Sequence, residues 1–107
     1  MRIVWFDDAL KDLDDIYEFR AQESERSAAK LYNKILDRPI GLTDQPSMGT
    51  IDPYLNDDAP VYRFLLVDKI YKIIYKVDTD EEIIYIFMVW NCRQNPEKIK
   101  EKTTGRK

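Results

Sequence analysis

Residues Ile70–Asp78 read IYKIIYKVD, nine positions without a glycine or proline and rich in β-branched and aromatic side chains. Successive side chains of a strand point to opposite faces, so Tyr71, Ile73, Tyr75 and Val77 share one face and Ile70, Lys72, Ile74 and Lys76 the other. One face is core; the other is partly basic. Two similar runs flank this one, Val61–Asp68 (VYRFLLVD) and Ile83–Asn91 (IIYIFMVWN). Only Asp68-Lys69 and Thr79–Glu82 separate the three, which predicts a three-stranded antiparallel β-meander. The third run is apolar on both faces, which predicts a central strand.

Upstream the apolar period changes from two to 3.6. From Asp8 to about Ala21, residues Ala9, Leu10, Leu13, Ile16, Tyr17 and Ala21 form one stripe of an amphipathic helix, with Asp7 expected to cap it and Asp8 to complement its dipole. Ser24 is placed to cap a second helix bearing Ala28, Leu31, Tyr32, Ile35 and Leu36. The short connection makes the two an antiparallel hairpin. Pro39 costs ~3 kcal/mol inside a helix, so the second helix should end or kink near Arg38. A loop is expected from Thr43 to Pro60, long enough to hold a short element of its own. Before the helices, Arg2–Phe6 (RIVWF) reads as a short strand. The sum is an α+β chain with helices packed on one sheet face. Residues 1–98 are expected to form a single domain, and the basic segment 99–107 a flexible tail.

Composition narrows the chemistry. The 107 residues contain no histidine, which removes the commonest general base and metal ligand together. No metal or cofactor is expected. The single cysteine excludes an internal disulfide and fits a reducing compartment, and no run approaches the ~18 apolar residues of a membrane span. A cytoplasmic protein is expected. Residues 1–60 carry seven Lys/Arg against thirteen Asp/Glu, a net of −6, whereas residues 61–107 carry ten against seven, a net of +3. The basic half can meet an anionic partner although the whole chain is at −3.

The segment Val89–Pro96, VWNCRQNP, crowds several reactive or turn-forming residues together. Asn95-Pro96 reads as a strand stop. Cys92 lacks a base to activate it and reads as a small buried hydrophobe. The acidic set Asp7, Asp8, Asp12, Asp14 and Asp15 spreads around the helix axis and reads as a solvated face, not a metal site. Trp5 reads as core; Trp90 reads equally as core or as a partner anchor.

Over about residues 3–98 the chain resembles the RelE/ParE family, the plasmid-stabilisation toxins of bacterial type II toxin-antitoxin modules. The features that carry the resemblance are Trp5, the helix motif from Asp7 to Ile16 (DDALKDLDDI), Pro46-Ser47-Met48-Gly49, Arg63, Tyr71–Asp78 and Val89–Pro96. The resemblance implies a helical hairpin on an antiparallel sheet, an antitoxin partner, and either a homodimer or a toxin-antitoxin hetero-oligomer. In the RelE-like branch it implies a ribosome-dependent mRNA endoribonuclease, with Arg63, Lys72 and Arg93 as catalytic cations on the exposed sheet face. Such groups stabilise charge building on a phosphorane. That branch also carries a second basic residue where this chain has Leu65, and a late tyrosine where nothing after Tyr85 is phenolic. In the ParE-like branch the toxin binds and inhibits DNA gyrase without chemistry, and Arg63, Trp90 and Arg93 are then partner-binding residues. The Tyr71–Asp78 strand and the Arg93–Pro96 ending are closer to this branch. A third possibility implied by the family is a non-toxic member kept as a binding module.

Overall fold

The computed structural model describes residues 1–55, 60–94 and 98–106. Strand β1 (Arg2–Trp5) leads into helix α1 (Asp7–Ala21), followed by helix α2 (Glu25–Asp37) and a 3-10 helix (Arg38–Thr43). Strands β2 (Thr50–Ile51), β3 (Arg63–Val67), β4 (Tyr71–Asp78) and β5 (Ile83–Asn91) follow, and helix α3 (Lys98–Arg106) closes the chain. The five strands form one sheet in the order β1-β5-β4-β3-β2, with β1 parallel to β5 and the other neighbours antiparallel.

The meander is as the alternation predicts, and β5 is an interior strand between β1 and β4. Its first turn places Asp68 and Lys69 at φ 54° and 60°, the mirror-image geometry that matches strand twist, closed by Ile70 N–H donating to Val67 O at 3.1 Å. Ser24 caps α2 by accepting from Ser27 N–H at 3.1 Å. Pro39 ends α2 and opens the 3-10 helix, where its missing N–H costs little. The expected capping role of Asp7 is corrected: Phe6 is the cap residue, its own N–H donates to Ile86 O at 3.0 Å, and Asp7 is the first helical residue. Extending the parallel ladder one residue past β1 fixes where α1 can begin.

Between the two layers lies a core in which Ala9, Leu13, Leu31 and Ile35 meet Leu65, Tyr71, Ile73, Tyr75, Ile84, Ile86 and Val89. The opposite sheet face is covered too. Leu55, Tyr62, Ile74, Phe87, Met88, Trp90 and Ile99 form a second apolar cluster there, which corrects the expectation of an open, partly basic face. A bulge supplies part of it: Ile74 pairs with Met88 and Tyr75 with Ile86, leaving Phe87 as an extra residue that joins Met88 on this second face.

Helix α3 corrects the expectation of a flexible tail beginning at residue 99. Ile99, Thr103 and Arg106 recur at helical spacing, with Ile99 and Thr103 buried and Arg106 bonded to Asp12 of α1. A single apolar residue and a charged anchor suffice because the second face of β5 offers a surface to cover. The loop after the 3-10 helix holds β2, and its Asn56, Asp57 and Asp58 lie outside the described residues, as does the Asn95-Pro96 strand stop.

Each open flank of the sheet meets an arginine. Beyond Trp5, β5 has no strand neighbour on that side among the described residues, and Arg106 donates to Phe87 O at 3.2 Å. Beyond the two residues of β2, Arg38 donates to Leu66 O of β3 at 3.2 Å.

Candidate partner-binding site

Arg63 and Lys72 stand on opposite faces of the sheet. Arg63 is paired with Tyr75 and Lys72 with Leu66, so Arg63 shares the helix-side face with Tyr75 while Lys72 shares the other with Ile74. Arg63 is half-buried and donates to Gly49 O at 2.9 Å. Gly49 N–H donates to the Tyr75 hydroxyl at 2.9 Å, which in turn donates to Pro46 O at 2.8 Å. The Pro46–Gly49 segment is thus laced onto β3 and β4. Burial pushes the Tyr75 hydroxyl pKa up, against the opposing influence of the Gly49 N–H and the Arg63 charge.

Lys72 is engaged elsewhere. Its ammonium lies 3.2 Å from Asp52 Oδ2 and 4.3 Å from the centre of the Phe64 ring, with Asp52 fully buried. Asp52 Oδ1 also accepts from Tyr54 N–H at 2.8 Å, so the pair fastens the loop before β3 over the second face. Arg93 is exposed in the turn after β5, its backbone N–H donating to Asn91 Oδ1 at 2.9 Å. Arg63, Lys72 and Arg93, expected together on one exposed sheet face, are not brought together: Arg63 and Lys72 bond within the fold and face opposite ways. Cys92 is exposed, which corrects its reading as a buried hydrophobe, yet partial desolvation pushes its thiol pKa up, with Lys72 lowering and Asp52 raising it.

Trp90 is buried at 3% exposure in the second cluster, the core alternative of its two readings. Its indole Nε1–H is buried without a hydrogen-bond partner among the described residues. The Lys102 ammonium lies 5.6 Å from the centre of its ring.

Sequence reasoning missed the centre of this region, Asp12. Instead of facing solvent, its carboxylate is buried between α1, β5 and α3. It accepts from Val89 N–H at 3.0 Å, from Lys102 at 3.3 Å, and from Arg106 Nη2 and Nη1 at 2.6 and 2.9 Å. Beside it runs a groove of about 350 Å³. Tyr71, Val89 and Trp90 line it from the sheet, and Ile16 and Phe19 from α1. Asp15, Lys102, Asn91 and Gln94 are its polar lining groups besides Asp12. Phe19 is 73% exposed, the most exposed of the large apolar side chains among the described residues. A second hollow of about 390 Å³ shares Trp90, Gln94 and Lys102 on the α3 side. No cluster of metal-ligating side chains occurs among the described residues.

The family model for the ParE toxin of the type II toxin-antitoxin system parDE matches residues 3–96. The chain belongs to the ParE toxin family. Among solved structures, the chromosomal ParDE toxin-antitoxin system from P. aeruginosa aligns with a TM-score of 0.69 at 22% identity, covering 85% of this chain and 95% of that one. The fold is shared with that ParE-like chain. Comparison with curated protein sequences gives no match. The ParE match ends one residue short of α3, so the helix that anchors Arg106 on Asp12 lies outside it. No helix among the described residues is long and apolar enough to cross a membrane.

Proposed function

We infer that this chain is the toxin of a type II toxin-antitoxin module, neutralised by a cognate antitoxin and acting on DNA gyrase by binding. Membership of the ParE family supports the toxin role. The observation that carries the non-enzymatic reading is the division of the cations. Stabilising a phosphorane needs positive groups converging within hydrogen-bond reach of the same oxygens. Arg63 is spent on Gly49 O on one sheet face and Lys72 on Asp52 on the other. Arg93 stands apart at the end of β5. The binding reading makes no such demand, and leaves Arg93 as the exposed member of the set.

Two assays on one preparation test this. Purified toxin should accumulate gyrase-cleaved DNA and leave translated mRNA intact, and its expression without antitoxin should arrest bacterial growth. Discrete cuts in translated mRNA that vanish in Arg93→Ala would refute the binding reading in favour of a nuclease. Unimpaired growth at verified high expression would refute toxicity itself.

A further inference from the structure

We propose that the end of the sheet formed by the Asp68-Lys69 turn, the turn after β5 and α3 holds the phosphate backbone of the DNA that gyrase carries. The proposal rests on the gyrase reading above and deepens it. A toxin that makes cleaved DNA accumulate must bind gyrase more tightly when that DNA is present, because a ligand shifts an equilibrium only by its difference in affinity for the two states. Direct contact with the DNA supplies such a difference.

The fold brings three basic segments to one place. Tyr71 pairs with Asn91 and Cys92 N–H donates to Ile70 O at 2.7 Å, which sets the Asp68-Lys69 turn beside Arg93. Trp90, Gln94, Lys98, Glu101 and Lys102 line one hollow of about 390 Å³, so α3 completes the group. Residues 68–72, 90–94 and 98–106 together hold seven Lys/Arg against two Asp/Glu. Of the carboxylates that reach them from other elements, Asp52 is paired with Lys72 and Asp12 with Lys102 and Arg106, while Asp15 lines the neighbouring groove but not this hollow. Asp68 is paired with Lys34 at 2.8 Å. Lys69, Arg93 and Lys98 are exposed and have no ion-pair partner among the described residues, with Glu101 as the opposing carboxylate in the hollow. The hollow is rich in groups that only donate: Lys98, Lys102 and the Trp90 indole N–H, which is buried without an acceptor among the described residues. Phosphate oxygens only accept. Such contacts hold the backbone and read no sequence. In a chain of net charge −3 they bind free DNA weakly, and they count once gyrase has brought the toxin beside the duplex and made the contact intramolecular.

The affinity of the full-length toxin for gyrase, measured with the enzyme free and loaded with a linear duplex, tests the contact. The wild-type chain should bind the loaded enzyme at least tenfold more tightly than the free one. The double variant Lys69→Asn/Lys98→Gln should bind free gyrase as the wild type does and lose most of that preference; asparagine tolerates the left-handed backbone at position 69, φ 60°. For the loaded enzyme the slope of log affinity against log salt should become shallower by about 2, because two fewer phosphates are neutralised. Lys11→Gln/Lys30→Gln, the same charge change at exposed positions of the helical hairpin, should keep the preference. Equal wild-type affinity for free and loaded gyrase, or an undiminished preference in Lys69→Asn/Lys98→Gln, would overturn the DNA contact and leave the gyrase reading intact. Equal weakening of that variant toward both forms would overturn it too, in favour of an acidic surface on gyrase itself. No binding of the wild-type chain to either form would overturn the gyrase reading and the DNA contact with it.

Discussion

Replacing either partner of the Asp12–Arg106 pair should expose an asymmetry. Asp12→Ala leaves Val89 N–H buried without an acceptor, a loss of ~1–3 kcal/mol. It also strands a guanidinium whose side chain is only 10% exposed. Breaking a buried pair from one side usually costs ~3–5 kcal/mol, but Arg106 sits at the end of α3 and can swing toward water, so we expect about 3 kcal/mol in total. Arg106→Ala is milder. Asp12 keeps Val89 N–H and Lys102, and the loss is two charge-assisted bonds plus the contact to Phe87 O, about 1.5 kcal/mol net. Urea denaturation of the two single variants and the double variant gives both costs and their coupling. The Val89 amide should lose protection from hydrogen exchange in Asp12→Ala and keep most of it in Arg106→Ala. Equal costs, or a coupling below about 0.5 kcal/mol, would refute the view that Asp12 holds the β5 edge as well as α3.

Gly49→Ala should destabilise by roughly 2–4 kcal/mol in the same denaturation assay, since an added Cβ would lie 2.6 Å from the Tyr75 hydroxyl and 2.7 Å from Phe64 O, forcing the Pro46–Gly49 segment off its three hydrogen bonds. A loss under 0.5 kcal/mol would show that the segment yields freely. Tyr75 also gives a pH dependence: burial holds its native pKa above 10.0, so the native state binds the proton more tightly than the unfolded one. Its stabilisation is complete below about pH 10 and is lost as pH rises through the raised native value. Tyr62 shifts in the same direction, so Tyr75→Phe should flatten only part of the alkaline fall, measured as urea stability against pH.

Local pattern made most of the scaffold legible. Period-two alternation in Tyr71–Asp78, the 3.6 period from Asp8 to Ala21, the Ser24 cap and Pro39 each act within a few residues, and each element stands where its signal lies. Long-range pairing was not legible. Asp12 looks like its acidic neighbours in sequence and differs only because Val89 N–H and Arg106, 77 and 94 positions away, converge on it. The same holds for α3, whose lysines advertise solvent and whose Ile99 and Thr103 acquire meaning only against the second face of β5. For Arg63 and Lys72 the signal misleads. Counting through a two-residue Asp68-Lys69 hairpin puts them on the same face, whereas Val67 pairs with Tyr71, so Ile70 is one residue more between the paired positions and the two cations face opposite ways.

The arginines at the two flanks of the sheet bear on how such a chain stays dispersed. An open strand edge is a template for other strands, and a protein that accumulates without its partner is most at risk of stacking edge to edge into insoluble fibres. Arg38 at Leu66 O and Arg106 at Phe87 O each put a bulky cation where an incoming backbone would dock. Charge thereby keeps copies of this chain apart at the two places where its own backbone would draw them together.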